Sequence, residues 1–318
     1  MSNQIRAMEN NGRYKKYAAL VFSCLLIVSV ILYDQGSYED VSDYEPVLIP
    51  ESPEKHSLEE SKYRDLLCRL DRSRIKTLKS LEAVEDSDIL DRFHQFIQDP
   101  MSSVCKELKK FGGHYSNSCK YTDGAKFVCM DDLLMDIQNN ECLIYSFGID
   151  KDWTFEDAMS NFGCTVYAHD PTVHYPRHRS KNTFFEKVGV ASKADTKNNL
   201  KDLKTILEAN GHRKSKISYL KMDIEEYEIE GLQAWLKSGA LDNIDQIGLE
   251  FHLNHGDVIR KTRTFIKALV DLHSKQNFSL ISYEANNCYK NIDRSQKYFS
   301  LAEIVLKKQR KDQRCKSV

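Results

Sequence analysis

The feature that most constrains the fold is a regular alternation of short apolar runs and amphipathic stretches in the second half of the chain. The apolar runs have the length and the β-branched and aromatic content of buried strands, and the stretches between them have helical periodicity. Strands that alternate with helices predict right-handed crossovers and a parallel sheet with helices on both faces. The predicted strands are Cys142–Phe147, Thr165–His169, Phe184–Ala191, Ile217–Met222 and Gln246–His252, and the predicted helices are Trp153–Phe162, Leu200–Asn210, Glu228–Lys237 and Ile259–His273.

Two further apolar runs close this region with only a loop between them. We predict strands at Phe278–Tyr283 and Tyr298–Leu306. Consecutive strands that lack a crossover helix pair in the antiparallel sense. The sequence therefore predicts one doubly wound α/β domain over residues 141–306, with an antiparallel pair of strands at one edge of the sheet.

The amino-terminal region has the layout of a membrane-anchored protein. Tyr17–Tyr33 is a run of 17 residues without a charge, the lower limit for a membrane-spanning helix. Residues 1–16 are basic and residues 34–57 are rich in acids, so we expect a cytoplasmic tail, an anchor at 17–33 and a disordered acidic stem. This predicts a single-pass type II protein of the Golgi or endoplasmic reticulum with a lumenal main domain. The alternative is a cleaved signal peptide, although no small-residue cleavage site follows the run.

Between the stem and the α/β domain, residues 58–140 begin with helical periodicity and then meet glycine pairs such as Gly112-Gly113. We expect a helical segment here that packs on the main domain, with one short strand near Phe127–Met130. After the last strand, residues 307–318 form a basic tail, which we expect to be solvated.

Cysteine usage agrees with a lumenal location. Of the nine cysteines, Cys24 lies in the predicted anchor, and the other eight permit up to four disulfides whose pairing the sequence leaves open. No pair has zinc spacing, so no structural zinc site is predicted. The net charge is −1, from 46 basic and 47 acidic residues, which argues against a nucleic-acid-binding protein with a basic face.

Candidate binding residues follow the predicted strands, because ligands bind beyond the carboxyl ends of strands in open α/β sheets. Gly148 ends the first strand and would let a ligand approach the backbone, and Asp170 follows the next strand, where an acid can accept two ribose hydroxyls. Asp150 and Asp152 precede a helix, where they either cap it or face a cation such as a sulfonium or ammonium group. The glycine loop has neither the dinucleotide nor the triphosphate pattern, which favours a ligand with adenosine and no phosphates.

Several segments resemble the S-adenosylmethionine-dependent methyltransferases of the FkbM-like kind, and in particular their animal methyltransferase-like branch of short-anchored secretory-pathway proteins. The segments are CLIYSFGIDKDWTFEDAM, CTVYAHDPT, YLKMDIEEYEIEGL and IGLEFH, with FGGHY and DGAKFVCMDD upstream. Together they cover about residues 105–306. The resemblance implies a class I methyltransferase fold, which is Rossmann-like, and S-adenosylmethionine as the cofactor.

The resemblance also implies roles for individual residues. Gly148 would line the methionine and sugar of the cofactor, Asp170 would hold its ribose, and Asp223 would lie beside the reactive methyl group. The family usually reads D-I-E-G at this last position, whereas Glu226 replaces the glycine here. That departure bears on the shape of the loop and on activity.

Methyl transfer requires in-line positioning of the acceptor, and a hydroxyl acceptor also needs a base. Asp223 and His252 end adjacent inner strands and are our predicted catalytic residues, with Glu225, Glu228 and Glu250 as further candidates. Two alternatives remain open. Glu225 and Glu228 are helix-start charges that complement the dipole, or these acids together with His252 hold a divalent ion. The main prediction contains no metal.

Three functions compete. The first is a membrane-anchored methyltransferase that acts on an unknown acceptor, for example a glycan hydroxyl, with no nucleic-acid partner. The second is a metal-dependent glycosyltransferase, because Asp150-Lys151-Asp152 is formally a D-x-D motif. The third is a non-catalytic lumenal protein with a decayed methyltransferase fold, for which Glu226 is the main support.

Overall fold

The computed structural model describes residues 53–253, 256–288 and 299–309, all of which belong to one compact unit. The predicted cytoplasmic tail, the anchor at 17–33 and most of the acidic stem lie outside these residues, as does most of the basic tail. Among the described residues, no helix has both the length and the apolar character needed to cross a membrane. Two boundaries differ from the prediction, because a helix already begins at Pro53 and the last strand continues to Lys308.

The segment before the main domain is helical at its two ends and not between them. The prediction of a helical segment over 58–140 is wrong for residues 108–129, where two antiparallel ribbons form: β1 pairs with β4, and β2 with β3. The strand β4 matches the short strand predicted near Phe127–Met130. Glycines explain the change, since Gly112, Gly113 and Gly124 adopt φ values of +71°, +85° and +75° and turn the chain. The elements are α1 (Pro53–Ser80), α2 (Ile89–Ile97), β1 (Leu108–Phe111), β2 (His114–Ser116), β3 (Tyr121–Asp123), β4 (Lys126–Cys129) and α3 (Met130–Gln138).

Strands of the main domain form an eight-stranded, mostly parallel sheet. Its order is β13-β14-β12-β11-β5-β6-β8-β7. The last strand, β14, is antiparallel to both of its neighbours, β12 and β13, as predicted. The strands of this part of the chain are β5 (Leu143–Phe147), β6 (Thr165–His169), β7 (His178–Ser180), β8 (Thr183–Glu186), β9 (Gly189–Ala191), β10 (Leu200–Asp202), β11 (Tyr219–Met222), β12 (Gln246–His252), β13 (Phe278–Ala285) and β14 (Leu301–Lys308).

The predicted third strand, Phe184–Ala191, is divided in the structure. Its first half is β8 in the large sheet, whereas its second half, β9, pairs with β10 in a separate two-stranded sheet. The helix predicted from Leu200 consequently starts three residues later. Asp202 sets that start, because its carboxylate accepts a hydrogen bond from the backbone N–H of Thr205 and caps the helix.

Helices cover both faces of the sheet. α1, α2, α5, α6 and α7 pack against one face, and α3 and α4 pack against the other. Alternate residues of β5 serve the two layers, with Tyr145 in the first cluster and Ile144 in the second. A parallel sheet needs this double cover because its strands are apolar on both sides. The remaining helices are α4 (Thr154–Phe162), α5 (Leu203–Ala209), α6 (Glu228–Lys237) and α7 (Val258–Gln276).

Disulfides join distant parts of the described chain. The pairs are Cys105–Cys129, Cys119–Cys288 and Cys142–Cys164, and Cys68 is also disulfide-bonded. Cys119–Cys288 spans 169 residues and ties the β2–β3 ribbon to the chain that follows β13. A native disulfide typically stabilises a fold by about 2–4 kcal/mol, and among the three described pairs Cys119–Cys288 is the one that joins the preceding segment to the main domain.

Candidate active site

A cleft of about 570 Å³ opens at the carboxyl ends of β5, β6, β11 and β12. β5 lies between β6 and β11 in the sheet. The chain continues from β5 to β6 on one side and later forms β11 on the other side, so the strand order reverses at β5. Open α/β sheets bind ligands at such a reversal. The structure brings all of the predicted site residues to this one cleft, while their binding and catalytic roles stay predictions. The residues are Gly148, Asp150, Asp152, Asp170, Asp223 and His252.

Gly148 closes the floor of the cleft. Its φ is +79°, and a Cβ at this position would lie 1.6 Å from the backbone oxygen of Asp223. Its carbonyl oxygen accepts a hydrogen bond of 2.9 Å from Lys221 Nζ. The position thus requires glycine for two reasons, the left-handed backbone and the contact between two neighbouring strand ends.

Asp170 holds the loop that follows Gly148. Its Oδ2 accepts hydrogen bonds of 2.9 Å from the backbone N–H groups of Ile149 and Asp150, and its Oδ1 accepts two from Thr172. Burial opposes ionisation, but these hydrogen bonds outweigh it and keep the pKa of Asp170 below its ordinary value. A carboxylate offers about four acceptor sites, so the observed role of Asp170 is to shape the loop, and ribose binding stays a prediction.

Asp150 and Asp152 line the cleft in different ways. Asp150 is exposed, with φ at +44°. Asp152 Oδ1 accepts a hydrogen bond of 2.8 Å from the backbone N–H of Thr154 at the start of α4, and its Oδ2 lies 3.3 Å from His114 Nδ1. Burial acts against ionisation, yet the bonds from Thr154 and His114 lower the pKa of Asp152. Asp152 therefore binds the backbone at the start of α4, and a role toward a cation stays a prediction.

A buried lysine contacts Asp223, one of the residues that line the cleft. Lys126, on β4, has a side chain only 1% exposed, and its Nζ contacts Glu303 Oε1 at 2.5 Å and Asp223 Oδ2 at 3.2 Å. Burial alone would raise the pKa of Asp223, but the charges of Lys126, Lys221 and His252 hold it below its ordinary value. Asp223 is therefore an ionised carboxylate at neutral pH.

Two further carboxyl groups near Lys126 have pKa values close to neutrality. Burial, together with the charge of Asp223, raises the pKa of Glu250 to about 8. Burial also raises the pKa of Glu303 to about 7, although Lys126 opposes this shift. Asn286 Nδ2 donates a hydrogen bond of 2.8 Å to Glu250 Oε1. Glu250 lines the cleft, so a proton acceptor of suitable strength lies at its wall.

His252 ends β12, and its ring is buried and positioned by Glu228. Its Nδ1 lies 3.1 Å from Glu228 Oε1, and its Nε2 points toward Glu225 Oε2 at 3.6 Å and Glu250 Oε2 at 3.9 Å. Burial would lower the pKa of His252, but the hydrogen bond and charge of Glu228 and the charges of Glu250 and Asp223 raise it to about 9. The imidazole is therefore protonated at neutral pH in the state that the structure describes, which makes it a poor base there.

The loop between β11 and α6 contains two consecutive left-handed residues. Glu225 has a φ of +51° and Glu226 a φ of +80°. Glu226 occupies the glycine position of the D-I-E-G motif, and its Oε2 pairs with Lys261 Nζ at 2.9 Å. The turn that the motif requires is thus kept, with a glutamate in a backbone conformation that favours glycine.

Two sets of side chains at the cleft are close enough to hold a metal ion, considering only the described residues. They are Asp223 with Glu225 and His252, and Asp223 with Glu250 and Glu303. In the second set Lys126 already contacts two carboxylates. Neither set includes Asp150 or Asp152, so the geometry does not support the D-x-D interpretation.

The cleft fits S-adenosylmethionine, an adenosine derivative with a positively charged sulfur. Its lining includes the apolar side chains of Pro171, Val190 and Leu200, which suit an adenine base. The lining also includes the ionised Asp223 and the exposed Asp150. Gly148 keeps the floor free of a side chain, since its only possible Cβ position is already filled by backbone.

Sequence reasoning missed Lys126 and Glu303. Each is a fully buried charged residue within an apolar strand, in the segments KFVC and LAEIVL. A charge among inward-facing apolar residues is the signal that could have identified them, because an unpaired buried charge is so costly that it implies a partner.

A family model described as a methyltransferase domain, Methyltransf_22, matches residues 82–299. The probable methyltransferase-like protein 24 of Homo sapiens is 33% identical over 140 residues, and that of Rattus norvegicus is 31% identical over 140 residues. Each match covers 40% of this chain and 38% of the relative, so the chain spans well under half of the length of these curated relatives.

Solved structures of methyltransferases are also similar to the chain. The methyltransferase FkbM from Methylobacillus flagellatus KT has a TM-score of 0.31 at 10% identity, over 52% of this chain and 44% of that one. Streptococcus pneumoniae Sp1610, a putative tRNA (m1A22) methyltransferase in complex with S-adenosyl-L-methionine, has a TM-score of 0.25 at 11% identity, over 55% and 71%. The family model covers more than half of the chain and confirms the predicted family of S-adenosylmethionine-dependent enzymes: the chain belongs to the Methyltransf_22 family of methyltransferase domains.

Proposed function

We propose that the protein is an active S-adenosylmethionine-dependent methyltransferase with a class I fold and a hydroxyl-bearing acceptor. The observation that carries the proposal is the floor of the cleft, where Gly148 is closed against the backbone of Asp223 and its loop is held by Asp170. This arrangement leaves a pocket of about 570 Å³, within the range of small-molecule sites, at the edge of the sheet where such ligands bind.

The bound cofactor supplies a methyl group on a positively charged sulfur. We expect Gly148 to line its methionine and sugar, and Asp150 and Asp152 to face its positive charge. Asp223 is ionised beside the expected position of the methyl group, where its charge is set by Lys126. Pro171, Val190 and Leu200 would contact the adenine.

Among the side chains at the reactive end, Glu250 is the one best suited to take the acceptor's proton. A general base works best when its pKa lies near the working pH. The pKa of Glu250, about 8, lies nearest to neutrality of the three, so a minor ionised fraction of this carboxyl can accept a proton, whereas Asp223 is held ionised and the pKa of His252 is about 9. In this scheme Asp223 and His252, our predicted catalytic residues, orient the acceptor through charge and hydrogen bonding. Bound S-adenosylmethionine would supply the methyl group to the acceptor's oxygen and would leave as the neutral thioether, and Glu250 would take the proton that the oxygen releases.

We also propose that this domain lies in the lumen of the secretory pathway, anchored through residues 17–33. The disulfides among the described residues support an oxidising compartment, because such bonds are rare in the cytosol. In intact microsomes, a carboxyl-terminal tag should be protected from protease and an amino-terminal tag should be digested. The reverse pattern would contradict the proposed topology.

The first test of the proposed function is a calorimetric titration of S-adenosylmethionine into the full chain, which measures cofactor binding. We expect saturable micromolar binding by the wild type and by Gly211→Ala, a glycine with φ at +77° and open space around its Cβ position. Gly148→Ala should abolish binding, because its Cβ meets the backbone of Asp223. Since Gly148→Ala also threatens folding, Asp150→Asn provides a second variant.

Asp150 is exposed, and asparagine tolerates its left-handed backbone, so this variant keeps the fold. We expect it to bind S-adenosylmethionine several-fold more weakly, since about 1.4 kcal/mol corresponds to a tenfold change. No binding by a folded wild-type chain would overturn the proposed function. Unchanged binding in Asp150→Asn would remove that residue from the cofactor site.

A further inference from the structure

At the acceptor side of the cleft, three side chains from two neighbouring strand ends converge on one point. Asp223 follows β11 directly, Glu225 lies in the turn after it, and His252 ends β12. One potential ligand atom from each lies within 4.8 Å of the others. Ligands around a divalent ion at about 2.0–2.2 Å are separated by up to roughly 4.4 Å, so shifts of a few tenths of an ångström would complete a coordination shell.

The orientation of His252 is the observation that points to a ligand. Its side chain is 2% exposed, and its only described hydrogen bond joins Nδ1 to Glu228 Oε1. Nε2 faces the three-residue cluster, where it forms ion pairs with Glu225 Oε2 at 3.6 Å and Glu250 Oε2 at 3.9 Å, beyond hydrogen-bonding distance. A metal ion at this point would replace the proton of the ring in both pairs. A carboxylate behind one ring nitrogen, with the other nitrogen aimed at a group of oxygens, is how proteins orient a histidine that binds a metal.

The exposure of Glu225 separates this cluster from the buried lysine network beside it. Its side chain is 83% exposed although its Oε2 lies 3.6 Å from the buried imidazole, so an ion can reach the cluster from the cleft. Asp223 uses Oδ2 for Lys126, and its side chain is 22% exposed, which leaves its other oxygen available. Two carboxylates, one imidazole and open positions for water suit Mn²⁺ better than a thiolate-seeking ion.

We propose that Asp223, Glu225 and His252 form a divalent-cation site, suited to Mn²⁺, at the acceptor side of the cleft. Its role in catalysis rests on the proposed function. A divalent ion at this point would bind a hydroxyl oxygen of the acceptor and acidify it, next to the expected position of the methyl group. The ion would also balance the negative charge that Asp223 and Glu225 concentrate there.

The direct test is an electron paramagnetic resonance titration of Mn²⁺ into the metal-stripped full chain, in which binding removes the six-line signal of the free aqueous ion. We expect one bound ion per chain in the wild type. Glu225→Gln and His252→Gln should each weaken binding at least about tenfold, since loss of even an outer partner costs that much. Glu230→Gln, at a 64% exposed position on the neighbouring helix α6, is the matched control and should bind as the wild type does.

Because Glu225 is exposed, its variant keeps the fold, which circular dichroism would verify. Absence of Mn²⁺ binding by the wild type would overturn the proposal, as would binding unchanged in both Glu225→Gln and His252→Gln. The titration of S-adenosylmethionine is made separately and without metal. Cofactor binding without Mn²⁺ binding would therefore reject the metal site alone, and the reverse result would reject the proposed function alone.

Discussion

Gly148 and Glu226 lie at the same edge of the sheet and have nearly the same φ, +79° and +80°, but they meet different demands. At Gly148 a Cβ would lie 1.6 Å from a backbone oxygen, so no other residue fits. At Glu226 there is space for a side chain, and its Oε2 pairs with Lys261 Nζ at 2.9 Å. The glycine of the D-I-E-G motif thus reflects a left-handed backbone, which a glutamate can adopt at a cost. The geometry at Glu226 is thus compatible with an intact loop, and activity stays a prediction.

This explanation predicts how substitutions at Glu226 rank in stability. Glu226→Gly and Glu226→Ala both remove the pair with Lys261, but only glycine accepts a φ of +80° without strain. We therefore expect the glycine variant to be more stable than the alanine variant by about 1 kcal/mol, the usual penalty of a left-handed residue with a Cβ. Urea unfolding of the two variants measures the difference. An alanine variant as stable as the glycine variant would mean that the loop relaxes out of this conformation.

At the scale of elements, the ribbons before the main domain contribute to the cleft. β4 carries Lys126 into the core, where it contacts Glu303 of β14 and Asp223 after β11. Three elements far apart in sequence thus meet at one buried ammonium group. Because unpaired charges are so unfavourable in a protein interior, this network fixes how the ribbon sits on the sheet.

The network predicts a large loss of stability when its cation is removed. Lys126→Met keeps most of the side-chain volume but leaves buried carboxylates unpaired, which typically costs about 3–5 kcal/mol. The double variant Lys126→Met/Glu303→Gln should recover part of this loss, because the more buried carboxylate can no longer ionise. Chemical denaturation of the single and double variants gives the coupling. Additive losses would show that Lys126 and Glu303 do not depend on each other.

The sequence predicted those elements whose signal is local. β5, β6, β12, α6 and α7 follow from apolar runs and helical periodicity, and their observed bounds differ from the predicted ones by a few residues at most. β4 matches the short strand predicted near Phe127–Met130, whereas β1 to β3 were missed because strands of three or four residues are too short to show a period. The β2–β3 ribbon is held by the pairing of its strands and by the Cys119–Cys288 bond, and that bond joins residues distant in sequence.

The same distinction holds for the site. Gly148, Asp170 and Asp223 were found because each directly follows a strand, and the carboxyl ends of parallel strands meet at one edge. The contact between Lys126 and Glu303 joins positions 177 residues apart, and only the folded sheet brings them together. The hydrogen bonds that saturate Asp170 were equally invisible, since they depend on the conformation of a loop.

At the scale of the whole molecule, a buried carboxyl group in the cleft makes the stability of the fold depend on pH. Glu250 has a pKa of about 8 in the folded protein, well above its ordinary value of 4.5, chiefly because it is buried. A carboxyl group with a raised pKa binds more protons in the folded than in the unfolded chain between those two values. Its contribution to stability is therefore fully present below pH 4.5 and is lost as the pH rises through 8.

The substitution Glu250→Gln should remove this loss of stability at high pH. Glutamine cannot ionise, and it keeps an oxygen to accept the 2.8 Å hydrogen bond from Asn286 Nδ2. In metal-free protein we expect the advantage of the variant over the wild type to grow by on the order of 4 kcal/mol between pH 5 and pH 9, since the pKa is raised by roughly 3.5 units and one unit corresponds to about 1.4 kcal/mol. Urea unfolding between pH 5 and 9 measures both curves, with the exposed Glu230→Gln as a control. Parallel curves for Glu250→Gln and the wild type would mean that Glu250 ionises without cost, and that another group in the cleft carries the proton.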